Sequence, residues 1–197
     1  MKLLMSKIKV LAALGAFIVI PGQINANEIE AAISDAMVDF RFTSDFEQDF
    51  MGRFAFMYSE DEEGKGDSEV ENTLLSYTFG TQGRRQNLDI SLGGRLYLMD
   101  LDVEGGQDGT GVGLALGFGV SAEIVPKLSV GVEAFYSPDI LTGGDLDSTT
   151  DVELRLGYQV IENGSVFVGY RNLRAEFDNG DDGDVYDGGL IGMRLTF

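Results

Sequence analysis

From residue 47 onward the chain alternates apolar and non-apolar residues at period 2, segment after segment. That pattern fits strands with two unlike faces and excludes helices, whose apolar positions recur every three to four residues. Eight segments carry it, over about 49–59, 70–81, 86–100, 110–124, 127–137, 149–161, 164–176 and 185–197. The third places Leu88, Ile90, Leu92, Leu96 and Leu98 on one side, and the sixth places Val152, Leu154, Leu156, Tyr158 and Val160. Each segment is long enough for a tilted strand to cross a bilayer, which takes roughly 9–11 residues.

The connections fall into two kinds. Residues 59–69, 100–109, 137–148 and 178–184 are long and acidic, whereas 80–85, 125–127 and 161–164 are short. The pair Asn163-Gly164 predicts a type I′ hairpin. Long loops at one end and tight turns at the other are the pattern of an outer-membrane barrel with its long loops extracellular and its short turns periplasmic.

The other face of the strands decides between two kinds of barrel. It carries small residues, such as Gly113, Ala115, Gly117 and Gly119, and charged ones, such as Arg95 and Arg155. A water-facing side has no use for rows of glycine, which weaken strands. A narrow lumen needs them so that long charged side chains fit. The expected fold is therefore all-β: a transmembrane antiparallel up-and-down β-barrel of about eight strands beginning near Asp49, with ten as the alternative. Phe50, Phe79, Tyr158 and Phe197 would mark one interfacial girdle, and Tyr58 and Tyr136 the other, with Tyr170 between the outer girdle and the middle.

The amino terminus reads as an export signal over residues 1–26. Lys2, Lys7 and Lys9 precede an apolar run from Val10 to Ile20 that is too short to span a bilayer. Pro21 and Gly22 end that run, and cleavage is expected after Ala26. Residues 27–47 are harder to place. Val38, Phe40 and Phe42 alternate with Asp39 and Arg41, which suggests an extra strand or a plug ahead of a barrel over 48–197.

Composition removes several function classes. The formal net charge of −19 opposes nucleic-acid binding. The chain has no cysteine, so it holds neither disulfides nor thiolate metal sites, and no histidine, so the commonest catalytic base is missing. The expectation is a protein that is not an enzyme and carries no cofactor. Two groups of ionisable residues remain as candidates. Arg53, Asp89, Arg95, Glu123, Glu133, Glu153, Arg155, Arg171 and Arg194 fall on the lumen face, as a set of filling ion pairs or as a charged constriction. Asp178, Asp181, Asp182 and Asp184 in an acidic loop offer oxygen ligands for a weak Ca²⁺ site, without the spacing of an EF-hand.

The carboxyl terminus, with Gly192, Leu195 and Phe197, resembles the terminal signal of proteins inserted by the outer-membrane assembly machinery. Phe135-Tyr136-Ser137-Pro138-Asp139, the segment Val168-Gly169-Tyr170-Arg171-Asn172-Leu173 and the closing strand to Phe197 resemble the YfaZ family of Gram-negative outer-membrane proteins. The resemblance covers residues 110–197 and implies location and fold, with a porin-like role presumed for the family. The partners it implies are outer-membrane lipid and lipopolysaccharide, with periplasmic chaperones and the assembly machinery during biogenesis. The expected role is a small barrel with a lumen largely filled by side chains, structural or in contact with the envelope. The alternatives are a narrow porin-like channel for ions or small solutes, and a soluble periplasmic lipocalin-like binder.

Overall fold

The computed structural model describes residues 27–47, 49–61, 70–103, 109–177 and 182–197. Its strands are β1 (Glu28–Ile33), β2 (Met37–Glu47), β3 (Phe50–Asp61), β4 (Val70–Arg85), β5 (Leu88–Val103), β6 (Gly109–Val125), β7 (Leu128–Ser137), β8 (Thr142–Gly144), β9 (Leu146–Ile161), β10 (Gly164–Phe177) and β11 (Asp182–Thr196). Each pairs antiparallel with its neighbours, β5 with β6 and β1 with β11, so the sheet closes on itself. β8 lies outside the wall: it pairs only with the long-loop end of β6, through Gly111, Val112 and Gly113.

Ten strands therefore make the wall, and the expected count of eight is corrected to ten. The additional two are β1 and β2, which take up residues 28–47 as barrel strands. β2 matches the alternation seen at Val38 to Phe42. β1 escapes period-2 reading because it is six residues long and two of them are alanines. A tight turn joins the two strands, with the Ser34 hydroxyl accepting the Ala36 N–H at 3.1 Å.

The wall turns its apolar side outward. Leu92 is 60% exposed, Leu116 62% and Ile191 56%, while Arg95, Glu153 and Arg171 on the opposite face are buried. A lipocalin has the reverse arrangement, so that alternative is set aside. The backbone of such a barrel bonds within itself, as a bilayer requires.

The short turns depart from expectation at one point. Gln86 and Lys127 have positive φ, of 57° and 74°, as two-residue hairpin turns favour. The Asn163-Gly164 pair does not: neither residue has positive φ. The turn is made by Glu162 and Asn163, and Gly164 begins β10. There it lies so close to Ile161 that a Cβ would stand 2.7 Å from Cγ1 of that side chain. Close packing, not turn conformation, calls for glycine at this position.

Closure is asymmetric. β1 covers β11 only over residues 191–196. Beyond that, the Val185 carbonyl of β11 accepts the Ser59 hydroxyl at 2.8 Å and the Asn72 amide at 3.2 Å. Side chains take over where the short strand ends. Ala31 stands opposite Met193 across this seam, and the protein has no cysteine of its own. The double variant Ala31→Cys, Met193→Cys is expected to form an intramolecular disulfide in the folded protein, seen as a mobility shift on non-reducing gels. Absence of that cross-link would show that β1 does not close the barrel.

Candidate functional site: the lumen and its ion-pair layer

Alternation points one residue in two of every strand into the lumen, and three layers result. At the long-loop end the filling is apolar: Met57, Leu74, Tyr97, Met99, Leu173 and Tyr186 belong to one buried cluster. This differs from the polar, small-residue lumen expected from sequence. Methionine and leucine fill the space, and apolar area buried there is stabilising at about 25 cal/mol per Å².

The middle layer is a chain of alternating arginines and carboxylates. It runs Arg53, Glu133, Arg95, Asp151, Arg171, Asp39, Arg41, Glu153, Arg155, Glu30, Arg194, Glu28. Arg53 and Arg95 hold the two oxygens of Glu133 at 2.6 and 2.9 Å. Arg171 forks onto Asp151 through Nε and Nη2, both at 2.9 Å. Asp151 also accepts Arg95 Nη1 at 2.6 Å and the Tyr97 hydroxyl at 2.9 Å. Arg41 bridges Asp39 and Glu153, each at 2.6 Å. Arg155 binds Glu153 and Glu30, and Arg194 reaches Glu30 at 2.8 Å. Eight of the ten wall strands supply a member. Of the other two, β4 supplies Thr78, which accepts Arg95 Nε at 2.8 Å.

β6 supplies space. A Cβ at Gly117 would meet the Phe135 ring at 2.5 Å, and that ring lies 3.9 Å beneath the Arg95 guanidinium. Gly192 on β11 plays the same part: a Cβ there would stand 2.4 Å from the Phe167 ring of β10, which underlies Arg155 at 4.4 Å. Small residues on two strands thus seat aromatic rings that carry arginines on a third and a fourth.

Of the lumen residues read from sequence, Arg53, Arg95, Glu133, Glu153, Arg155, Arg171 and Arg194 come together in this chain. Asp89 lines the mouth of the cavity below. Glu123 turns away to accept the Lys127 N–H at 3.0 Å at a hairpin turn. Sequence reading missed Glu28, Glu30, Asp39, Arg41 and Asp151. Asp39 and Arg41 have the inward parity of β2, and Asp151 is two residues from Glu153, so parity alone would have found these three. Of the Ca²⁺ candidates, Asp178 and Asp181 lie outside the described residues, and Asp182 and Asp184 are described only as backbone of β11. Among the described residues no group of acidic side chains is placed to hold a metal ion.

The third layer, at the short-turn end, is open: a cavity of about 650 Å³ bounded by Arg53, Glu133, Glu153 and Arg155 within and by Asn27, Gln82, Glu162 and Phe197 at the mouth.

A closed antiparallel wall, apolar outside and charged within, defines an outer-membrane β-barrel. The chain belongs to the YfaZ family: the family model described as YfaZ precursor matches residues 5–197, so the likeness seen in the second half extends to nearly the whole chain. The protein is located in the outer membrane. No curated protein matches the sequence. Among solved structures it is similar to the outer-membrane channel DcaP of Acinetobacter baumannii (TM-score 0.42, 10% identity, covering 86% of this chain and 62% of that one). It is also similar to the NanC porin (0.43, 9%, covering 86% and 98%) and to the KdgM porin in complex with disordered oligogalacturonate (0.40, 12%, covering 86% and 98%). The chain thus spans less than two thirds of DcaP.

Removing one member of the buried layer leaves its partners charged and unpaired. Arg171→Met is expected to cost about 3–5 kcal/mol of stability, read as a lowered denaturation midpoint in detergent. Asp151→Leu with Arg171→Met is expected to cost less than the two single changes summed. Additive losses would show that the two residues do not act as a pair.

Proposed function

We propose that this protein is a structural or envelope-interaction barrel whose lumen is shut by its own side chains. The observation that carries this reading is the continuous arginine–carboxylate chain lying under a layer of buried methionine, leucine and tyrosine. An ion crossing the lumen would have to part both layers. Loop length supports an orientation with the long acidic loops outside the cell and the cavity facing the periplasm. Lipid and lipopolysaccharide then contact the outward leucines, valines and aromatics. Leu195 and Phe197 remain exposed at the end of the chain, accessible to assembly machinery and chaperones. Removal of residues 1–26 suits the same reading, because Asn27 is already bonded into the wall, its N–H on the Thr43 carbonyl at 2.9 Å.

A narrow channel for ions or small solutes is the second reading. It is favoured by the open cavity, which reaches as far as Arg53 and Glu133 and leaves only part of the lumen to be crossed.

Single-channel recording of the refolded mature barrel in a planar bilayer separates the two. A silent bilayer is expected, with folding shown by heat-modifiable migration on gels. Opening both layers at once, with Met57→Ala and Leu74→Ala in the apolar layer and Arg95→Ala and Arg171→Ala in the ion-pair chain, is expected to produce openings. Discrete, reproducible openings of the unaltered protein would overturn the closed-lumen reading.

A further inference from the structure

The cavity at the short-turn end differs from a water-filled gap in how its charge is laid out. Its volume of about 650 Å³ lies within the roughly 300–1,000 Å³ usual for ligand sites. The deep wall presents guanidinium groups whose hydrogen bonds are incompletely used. Arg155 Nη2 is buried and has no partner among the described residues, although the same group binds Glu153 and Glu30 through its other nitrogens. Arg53 uses Nε on Thr43 and Nη1 on Glu133, which leaves Nη2 for a further acceptor. The carboxylates at that depth are already engaged, Glu133 by Arg53 and Arg95, and Glu153 by Arg41 and Arg155. A buried charged donor without an acceptor is costly, and a small shift of the Arg155 side chain toward the cavity would let an oxygen from outside the chain supply one.

The mouth has the opposite character. Asp45, Asp89 and Glu162 line it, together with Glu28 and Arg194, the pair at which the ion-pair chain reaches the mouth. Hydroxyls of Ser91, Ser121, Ser129 and Ser165 cover the wall between. A solute that fits must bring acceptor oxygens to the deep end and positive charge to the mouth.

We propose that this cavity binds a small zwitterion of the amino-acid or short-peptide class. Its carboxylate sits against Arg155 and Arg53, and its ammonium faces the acidic mouth. A simple anion satisfies the arginines but is repelled by the mouth, and a simple cation finds no acceptor in the deep wall that is not already bound. The closed lumen is not a premise here, because the cavity has the same lining whether or not the layers above it conduct.

The test is isothermal titration calorimetry of the refolded barrel in detergent with trialanine as probe. Its N-acetylated and its C-terminally amidated forms serve as comparison. Saturable binding of trialanine is expected, weakened at least tenfold by either blocking group. Ser129→Phe, which narrows the cavity from a position that is not a member of the ion-pair chain, is expected to abolish binding while heat-modifiability is kept. Arg155→Lys is expected to weaken trialanine at least tenfold and the amidated form little. Absence of saturable heat, equal affinity for the blocked peptides, or full binding by a folded Ser129→Phe variant would each overturn the proposal. Should Arg155→Lys fail to fold, the Ser129 variant and the blocked peptides decide alone.

Discussion

A bilayer offers the backbone no hydrogen-bond partners, so a sheet that enters it must close. Everything else in this molecule follows from that closure. A closed wall has an outside that lipid selects and an inside that lipid never meets. Strand alternation then sorts the sequence into two sets without any further instruction. Leucine, valine and aromatic side chains go out. Arginine, carboxylate, glycine and a group of methionines and leucines go in.

Ten strands leave an interior that side chains can fill but that must be filled deliberately. Charge fills the middle of it, which is expensive unless every charge is paired. The alternating chain from Arg53 to Glu28 meets that requirement. Most of its carboxylates touch two arginines, so the negative charge of each is shared, and among the described residues only the two ends, Arg53 and Glu28, rest on a single ion pair. Pairing across the lumen, as between Arg41 of β2 and Glu153 of β9 at 2.6 Å, also ties together walls that share no backbone hydrogen bond. The apolar layer above and the open cavity below show that the lumen is not one environment. A soluble protein has a core and a surface; this one has a core, a polar belt and a vestibule stacked along a single axis.

The wall was legible in the sequence because period 2 survives in every strand of ordinary length. Its outer face and the inward arginines on β3, β5, β9, β10 and β11 could be read from parity, and the places of its short turns from the breaks in it. Three things could not. β1 is too short and too rich in alanine to show alternation, and the strand count followed that miss. The apolar upper lumen was invisible because Leu74, Tyr97 and Leu173 break no local rule: inward leucine and outward leucine look alike in one sequence. The partners within the ion-pair chain depend on shear, which parity does not encode. Arg171, for instance, stands opposite Glu153 in register but forks onto Asp151. Gly192 carries a further lesson. Read as part of a terminal signal, it also makes room for the ring that supports Arg155, so its packing role accounts for glycine there without any appeal to recognition.

The seam between β1 and β11 has a consequence for how the molecule comes into being. The two strands joined there are the first and the last of the wall, and only six residues of each meet. No other pair in the wall is so far apart along the chain, and only β1 with β2 is as short. Loop closure of that span is the largest entropic cost in the assembly and is recovered over the fewest contacts. The cylinder is therefore unable to form piecemeal: nine strands already in register still leave two open edges until the last one arrives. Glu30 and Arg194, held at 2.8 Å across that join, make the final contact an electrostatic latch, drawn shut inside a lumen that exists only once it has closed.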